Sequence, residues 1–251
     1  MIIDLSKINF GGGGGGSKIK VQDVKVVTQN VDSSGAYDFQ PDEGYDAMKA
    51  VKANLTIPST PAQTVDLKTG IKFGNSTFSA MPFTLICDSG VTDIEYMFSS
   101  CKNLTTLDLS NFDTSNVTVM EYMVNSCEKL TTLNLSNFNT SKVHDMSSMF
   151  AFCKSLTTLD LSNFNTSKVI YMNFMFNYCE KLTTLDLSNF NTSNAKHMNN
   201  MFGECNSLTT VKVTNCDEST KNKILTQLQT DLSSYTWTLG DDGIIRRSET
   251  T

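Results

Sequence analysis

The chain has 251 residues, of which 39% are hydrophobic and only 18% are charged, and its formal net charge is -6. Because nucleic-acid binding depends on clustered Lys and Arg, this balance argues against a nucleic-acid partner. The sequence contains no run of 18 apolar residues, which argues against a membrane-spanning helix. The first residues also lack a signal-peptide core, and we expect a soluble protein made without Sec export.

Residues 1–16 combine a short alternating peptide with a flexible tether. The six consecutive glycines from Gly11 to Gly16 cannot hold one fixed conformation. The peptide before them alternates apolar and polar residues, which suits addition to an exposed sheet edge. We interpret it as an anchor to a larger particle, and a disordered terminus is the open alternative. The predicted anchor residues are Ile2, Ile3, Leu5, Ile8 and Phe10.

Residues 17–63 predict a small all-β module and a linker. The stretches KIKVQDVKVVTQ and VKANLTI alternate like strands, and a turn-rich stretch separates them. The segment GAYDFQPDEGYDAMKAVKANLTI resembles a β-module of phage tail, fibre and receptor-binding proteins. The resemblance implies a module that attaches the protein to other virion proteins and makes it a homo-oligomer, with a trimer expected.

The central part of the chain, residues 97–216, is a repeat of 26 residues that aligns without gaps. Repeats of this length predict a solenoid, in which each unit forms one coil that packs on the next. Residues 64–96 are the predicted N-terminal cap, since FTLICDSGVTDIEY keeps part of the repeat pattern. The units begin at a methionine, and the fifth diverges after its start: Met97, Met123, Met149, Met175 and Met201.

Two apolar periods within each unit predict two kinds of backbone. In the first unit Leu107 and Leu109 alternate with polar residues, which is typical of a half-buried strand. Turn and N-cap residues follow from Asp113. From Val117 to Cys127 the apolar residues lie at helical spacing. We therefore predict an α/β fold in which each coil contributes a short helix and one strand of a parallel sheet, with strands about 4.8 Å apart.

The unit MFxxCxxLTxLDLSNFxTSxVxxM resembles the BspA-type leucine-rich repeats of bacterial surface proteins, over residues 91 to about 216. Leu104, Leu107 and Leu109 carry the LxxLxL spacing. The resemblance implies a leucine-rich-repeat-like solenoid with a binding surface. A phenylalanine stands where many such repeats place a buried Asn or Cys, and we expect a stacked spine of Phe112, Phe138, Phe164 and Phe190.

Five of the seven cysteines share one phase of the repeat. Equal phase predicts an inward-facing ladder, and five residues cannot all pair as disulfides. The sequence has no CxxC, whereas zinc needs two or more ligands close together. We therefore favour reduced, buried thiols over disulfides or a metal site. The ladder consists of Cys101, Cys127, Cys153, Cys179 and Cys205.

Residues 217–251 are the predicted C-terminal cap. The stretch KNKILTQLQTDL predicts an amphipathic helix with Ile224, Leu225 and Leu228 facing inward. The stretch YTWTL predicts a closing strand, and the only tryptophan, Trp237, is expected to seal the last coil. Solenoids need such caps at their open ends.

The residues that catalysis would need are missing from the pattern. His144 and His197 are the only histidines, and they lie in different phases of the repeat. The glycine run is not followed by the Lys-Ser/Thr of a phosphate loop, and no GxSxG occurs. We predict a protein that is not an enzyme and that uses no cofactor.

Aromatic residues that vary between units, on the predicted helix side, are the candidate ligand contacts. An exposed aromatic patch would mark a protein or sugar contact, and partial burial between neighbouring helices is the favoured alternative. The monotonous strand face, with Thr106 and Asp108 repeated in phase, is better explained by solubility and recent duplication than by a repetitive ligand. The candidates are Tyr96, Tyr122, Phe152, Tyr171, Phe174 and Tyr178.

These features together predict a phage virion protein, such as a tail or head fibre, a decoration protein or a receptor-binding protein. Its N-terminus would contact other virion proteins, and its repeats would bind a host cell-surface protein or glycan. The alternative is a bacterial surface adhesin with BspA-type repeats that binds host proteins. Missing export and wall-anchoring signals count against that alternative, and an enzyme is third.

Overall fold

The computed structural model describes residues 91–110 and 112–248 in full and, upstream of them, the backbone of five short strands. The predicted anchor residues Ile2, Ile3, Leu5, Ile8 and Phe10 lie outside the described residues. The five upstream strands are β1 (Lys25–Thr28), β2 (Tyr37–Phe39), β3 (Val51–Ala53), β4 (Gln63–Leu67) and β5 (Thr84–Cys87).

The upstream strands form two separate sheets. β2 and β3 pair antiparallel, and both lie in the segment that resembles phage fibre modules. The second sheet has the order β1-β4-β5, with β4 antiparallel to β1 and parallel to β5. This sheet joins strands on both sides of the domain boundary predicted at residue 63.

The repeat units contribute short parallel strands whose partners lie 26 residues apart. β6 pairs with β7 through Leu107 and Leu133, and β8 pairs with β9 through Leu185 and Val211. A second row of single parallel bridges, the bridge row, connects Asp93, Val119, Asp145, Tyr171 and His197 in that order. Equivalent residues of successive units are therefore neighbours at two places in each coil. The strands are β6 (Thr106–Asp108), β7 (Thr132–Asn134), β8 (Thr184–Asp186) and β9 (Thr210–Lys212).

The prediction of a short helix in each coil is wrong, because these residues form consecutive turns. The Met97 amide donates to the Ile94 carbonyl, three residues back, at 3.3 Å, whereas the Phe98 amide donates to Met123 of the next coil at 2.8 Å. An α-helix would use both amides internally. Tyr96 also has a positive φ of 56°, which an L-residue in a right-handed helix cannot have. The helical spacing of the apolar residues thus comes from tight turns that bond to the next coil.

The phenylalanine spine lies in the core. Phe112, Phe138 and Phe164 are at most 3% exposed. The ring centroids of Phe112 and Phe138 lie 6.2 Å apart, and those of Phe138 and Phe164 lie 6.4 Å apart, with the rings nearly parallel. Phe190, at the same phase, is also 3% exposed. The spine belongs to one apolar cluster that extends from Val91 to Ile245.

The six cysteines whose side chains are described are free and buried: Cys101, Cys127, Cys153, Cys179, Cys205 and Cys216. The thiol of Cys127 donates to the Phe98 carbonyl at 3.1 Å, and the thiol of Cys153 donates to Val124 at 3.2 Å. Burial raises the pKa of Cys153 to about 12. Because the thiolate is the reactive form, this buried thiol is a poor nucleophile.

The last coil is covered by one helix and two strands. Helix α1 (Glu218–Asp231) begins after Asp217, whose carboxylate accepts the Thr220 amide at 2.7 Å. Ile224 and Leu228 are buried on its inner face, and Leu225 packs partly buried against the core. Within the described residues, no helix has the length and apolar character needed to cross a membrane.

The two strands close the sheet that began with β8. Strand β10 (Thr236–Leu239) carries Trp237, which is 1% exposed. Strand β11 (Ile244–Ser248) lies between β10 and β9 and pairs antiparallel with both. Sequence analysis anticipated β10 but not β11, which ends the parallel sheet by reversing its direction.

Asp231 takes the place of the next coil at the end of the repeats. Its carboxylate accepts the amides of Asn200 at 3.1 Å and Phe202 at 2.9 Å. The equivalent amides of the first turn, those of Tyr96 and Phe98, donate to backbone carbonyls of the following coil. One carboxylate thus supplies two of the acceptors that a further coil would have offered.

Candidate recognition surface

The consecutive turns stack into what we call the turn face, comprising residues 96–100 and their equivalents in later coils. The first and last residue of each turn have a positive φ, between 53° and 61°. Equivalent residues form two columns along the coils. The first column is Tyr96, Tyr122, Ser148, Phe174 and Asn200, and the second column is Ser100, Ser126, Phe152, Tyr178 and Glu204.

Half of these positions carry large aromatic side chains, which is unexpected for their backbone. The left-handed conformation costs an L-residue roughly 1–2 kcal/mol, and only Gly, Asn and Asp adopt it readily. Ser and Asn at the equivalent positions of other coils show that the turn itself does not need an aromatic ring. Backbone strain of this kind concentrates at functional sites. We therefore take the rings as the candidate site.

The aromatic surface consists of the six predicted contacts, and four of these rings stack in two pairs along the coils. Ring centroids lie 4.5 Å apart for Tyr96 and Tyr122, and 4.6 Å apart for Phe152 and Tyr178. Tyr171 lies in the bridge row and stacks on His197 at 4.8 Å. Phe152, Tyr171 and Phe174 are exposed by 36%, 38% and 37%, whereas Tyr96, Tyr122 and Tyr178 are half-buried. The surface thus presents three exposed rings: Phe152 on the third turn, Phe174 on the fourth turn and Tyr171 in the bridge row.

Sequence analysis did not predict a cluster of four carboxylates beside the first turns. Burial raises the pKa of Glu121 to about 7, and the nearby carboxylates of Asp145, Glu95 and Asp93 add to this rise. Glu121 therefore takes up a proton more readily than an ordinary glutamate, and its protonation would lower the repulsion among these carboxylates. The recurrence of Glu95 and Glu121 at the same phase was the signal that could have revealed it.

A different face, formed by the strands, carries a shallow groove of about 400 Å³. Residues 158–160 of the third unit form no strand, so the parallel sheet is interrupted between β7 and β8. The sequence LTTLDLSNF is identical in the third and fourth units, and it does not explain the interruption. The groove is lined by Thr131, Thr132, Leu133, Thr158, Leu159, Asp160, Thr184 and Asp186.

The two histidines are not brought together. His144 and His197 are both exposed. The residue that follows His144, Asp145, has the same phase as His197 but lies two coils before it. Among the residues that the structure describes, no group of three His, Cys, Asp or Glu side chains is placed to hold a metal ion. The chemistry that the described surface offers is aromatic stacking, hydrogen bonding and charge.

Coils with in-phase Leu, Phe and Cys residues in an α/β fold define a repeat protein. A family model described as "Mycoplasma protein of unknown function, DUF285" matches residues 84–159 and 131–233, which together make up more than half of the chain. The chain belongs to this family. Its match agrees with the BspA-type resemblance of the repeats. A search of curated proteins found no match.

Proposed function

We propose that the protein is a non-enzymatic recognition protein that binds its partner through the aromatic surface. The observation that carries this proposal is the presence of bulky rings at positive-φ positions, with Phe152 and Phe174 exposed by more than a third. Such rings cost backbone strain, and Phe152 and Phe174 keep more than a third of their surface in solvent, so folding alone does not account for them. Exposed aromatic residues are common anchors of protein interfaces.

We also propose that the coils form a leucine-rich-repeat-like solenoid that displays this surface. Support comes from one backbone hydrogen bond that recurs from turn to turn at 2.8–3.1 Å. It joins Tyr96 to Glu121, Tyr122 to Ser147, Ser148 to Asn173, and Phe174 to Asn199. Each donor lies 25 residues before its acceptor, so the same geometry repeats along the stack.

For the biological setting, we propose a phage virion component that is attached through its N-terminal peptide and β-module. The glycine tether and the resemblance of the GAYDF segment to phage modules support this setting. A bacterial surface adhesin is the second candidate, and the match to a mycoplasma family favours it. Mass spectrometry of purified particles separates the two, since absence of the chain from particles rejects the virion setting.

A triple variant, Phe152→Ser with Tyr171→Ser and Tyr178→Ser, is expected to abolish binding of the labelled full-length chain to intact host cells, as measured by flow cytometry. Stability should change by no more than about 1 kcal/mol, because these side chains are exposed or half-buried.

A matched control is the triple variant Thr132→Ser, Thr158→Ser and Thr184→Ser, which alters the strand face and should bind like the wild type. Loss of binding in this control alone would move recognition to the strand groove. A collapse in stability of the aromatic variant would show that its rings belong to the core.

A further inference from the structure

The strand groove lies where the parallel sheet opens at the third coil. Between the first and second coils the Thr131 amide donates to the Thr105 carbonyl at 2.9 Å, and between the fourth and fifth coils the Thr209 amide donates to Thr183 at 2.9 Å. In the described part of the chain, the equivalent residue of the third coil, Thr157, forms no backbone hydrogen bond to either neighbouring coil. The sheet is therefore open on both sides of one coil, and the groove of about 400 Å³ lies over it.

The opening uncovers an apolar floor. At one phase of the repeat, Leu107 and Leu185 are 1% and 2% exposed. At the same phase, Leu159 in the opened coil is 9% exposed, and Leu133 in the coil before it is only partly buried. Leu133 and Leu159 both line the groove. The groove therefore gives access to carbon atoms that other coils bury.

Three threonine hydroxyls line the groove at equal steps along the stack. Thr132, Thr158 and Thr184 have the same phase in successive coils, and all three are exposed. The hydroxyls of Thr131 and Thr209 are used by the fold, since each donates to a carbonyl of the preceding coil at 3.0–3.1 Å. Within the described residues, the three groove hydroxyls have no such partner. Each can donate one hydrogen bond to a ligand and accept two.

Two carboxylates complete the polar lining. Asp160 accepts the Ser162 amide at 2.9 Å, and Asp186 accepts the Ser188 amide at 3.0 Å, so both are held in place through one oxygen. The bonds from Ser162 lower the pKa of Asp160, which is therefore ionised and accepts hydrogen bonds only. Asp186 pairs with Lys212 at 3.7 Å, whereas Asp160 forms no ion pair among the described residues. The second oxygen of Asp160 is thus open to a donor.

We propose that the strand groove binds one or two pyranose units of a neutral carbohydrate. Sugar hydroxyls would exchange hydrogen bonds with the three threonines and donate to Asp160, while a C–H face of the ring would cover Leu133. The volume of about 400 Å³ lies within the range of small-ligand sites, about 300–1,000 Å³. The groove lies on a different face from the aromatic surface, so this inference does not depend on the proposed function.

Two other classes of ligand fit the groove less well. An extended peptide adds to the free edge of a strand, whereas the third coil already occupies the place between β7 and β8. An anionic ligand would meet the carboxylates of Asp160 and Asp186, and the residues that line the groove include no cation. A site with unpaired hydroxyls and carboxylate oxygens favours a ligand that carries hydroxyl groups over an analogue that lacks them.

The test follows the backbone amide signals of the full-length chain by NMR during addition of maltose, cellobiose, lactose or chitobiose. We expect at least one of these disaccharides to shift the amides of residues 158–160. The double variant Thr158→Val with Asp160→Asn should weaken this binding at least about tenfold, because it removes one hydroxyl and one charge from the groove. The asparagine keeps an oxygen for the Ser162 amide, so the turn that follows is preserved.

The matched control is Thr106→Val with Asp108→Asn, which makes the same two changes in the first coil. Asp108 likewise accepts an amide two residues on, that of Ser110, at 3.0 Å, but neither Thr106 nor Asp108 lines the groove. This control should bind the disaccharide like the wild type.

Several results would overturn the proposal. These are no shift at residues 158–160 with any of the four disaccharides, or equal weakening in the two double variants. Stronger shifts with the peptide acetyl-Thr-Val-Thr-Val-amide than with every sugar would show that the groove is a peptide site. If the double variant loses its native spectrum, Thr158→Val alone decides. A weakening of about threefold is expected from the lost hydroxyl, and unchanged binding would contradict its role.

Discussion

Replacing Phe164 with alanine is expected to lower the free energy of unfolding by about 3–5 kcal/mol, the largest effect of any single substitution considered. Phe164 is 2% exposed and contacts the rings of Phe138 and Phe150 with centroids 6.4 and 6.5 Å away. Because the coils are held by backbone bonds on several sides, the core cannot collapse to fill the cavity. Urea denaturation followed by circular dichroism measures the effect.

Phe152→Ala is the matched control for this experiment. This substitution also removes a phenylalanine side chain, from the third turn of the turn face. Phe152, however, is 36% exposed and has a φ of 60°. We expect its stability to stay within about 1 kcal/mol of the wild type. Equal losses in the two variants would contradict the assignment of one phenylalanine to the core and the other to the surface.

Asp231→Ala is expected to destabilise the protein by about 2 kcal/mol, because two backbone donors lose their acceptor. The amides of Asn200 and Phe202 bond to this carboxylate, and Gln227 also donates to it at 2.7 Å. Hydrogen exchange should accelerate first at these two amides, since the last turn has no further coil to bond to.

The control for Asp231 is Asp241→Ala, which removes an exposed carboxylate from the turn between β10 and β11. This variant should unfold like the wild type. Unchanged exchange at Asn200 and Phe202 in Asp231→Ala would show that the carboxylate does not cap the repeats.

Sequence analysis anticipated the features that depend on repeat phase. Cys127 and Cys153, or Phe138 and Phe164, occupy identical positions of adjacent units, and equal phase places them side by side in the core. Helix α1 was also predictable, because Ile224 and Leu228 fall on one helical face within a segment that does not repeat.

Local sequence patterns could not predict the turn face. Apolar residues three apart fit a helix and a series of tight turns equally well. The two structures differ in which carbonyl accepts the hydrogen bond of each amide. Glycine usually marks a positive φ, yet Tyr96 and Ser100 occupy these positions here. The cap formed by Asp231 joins residues some 30 positions apart, so no short motif reveals it.

Disulfide trapping tests most directly whether residues 26 positions apart lie on one another. Thr106 and Thr132 are exposed partners in β6 and β7, and Thr158 lies one coil further on. Adjacent strands bring Cα atoms to about 5 Å, within disulfide reach, whereas a second coil lies beyond it. The pair Thr106→Cys with Thr132→Cys should crosslink quickly under mild oxidation, and Thr106→Cys with Thr158→Cys should not. Equal crosslinking of both pairs, or none in the first, would contradict the stacking on which the fold and the aromatic surface depend.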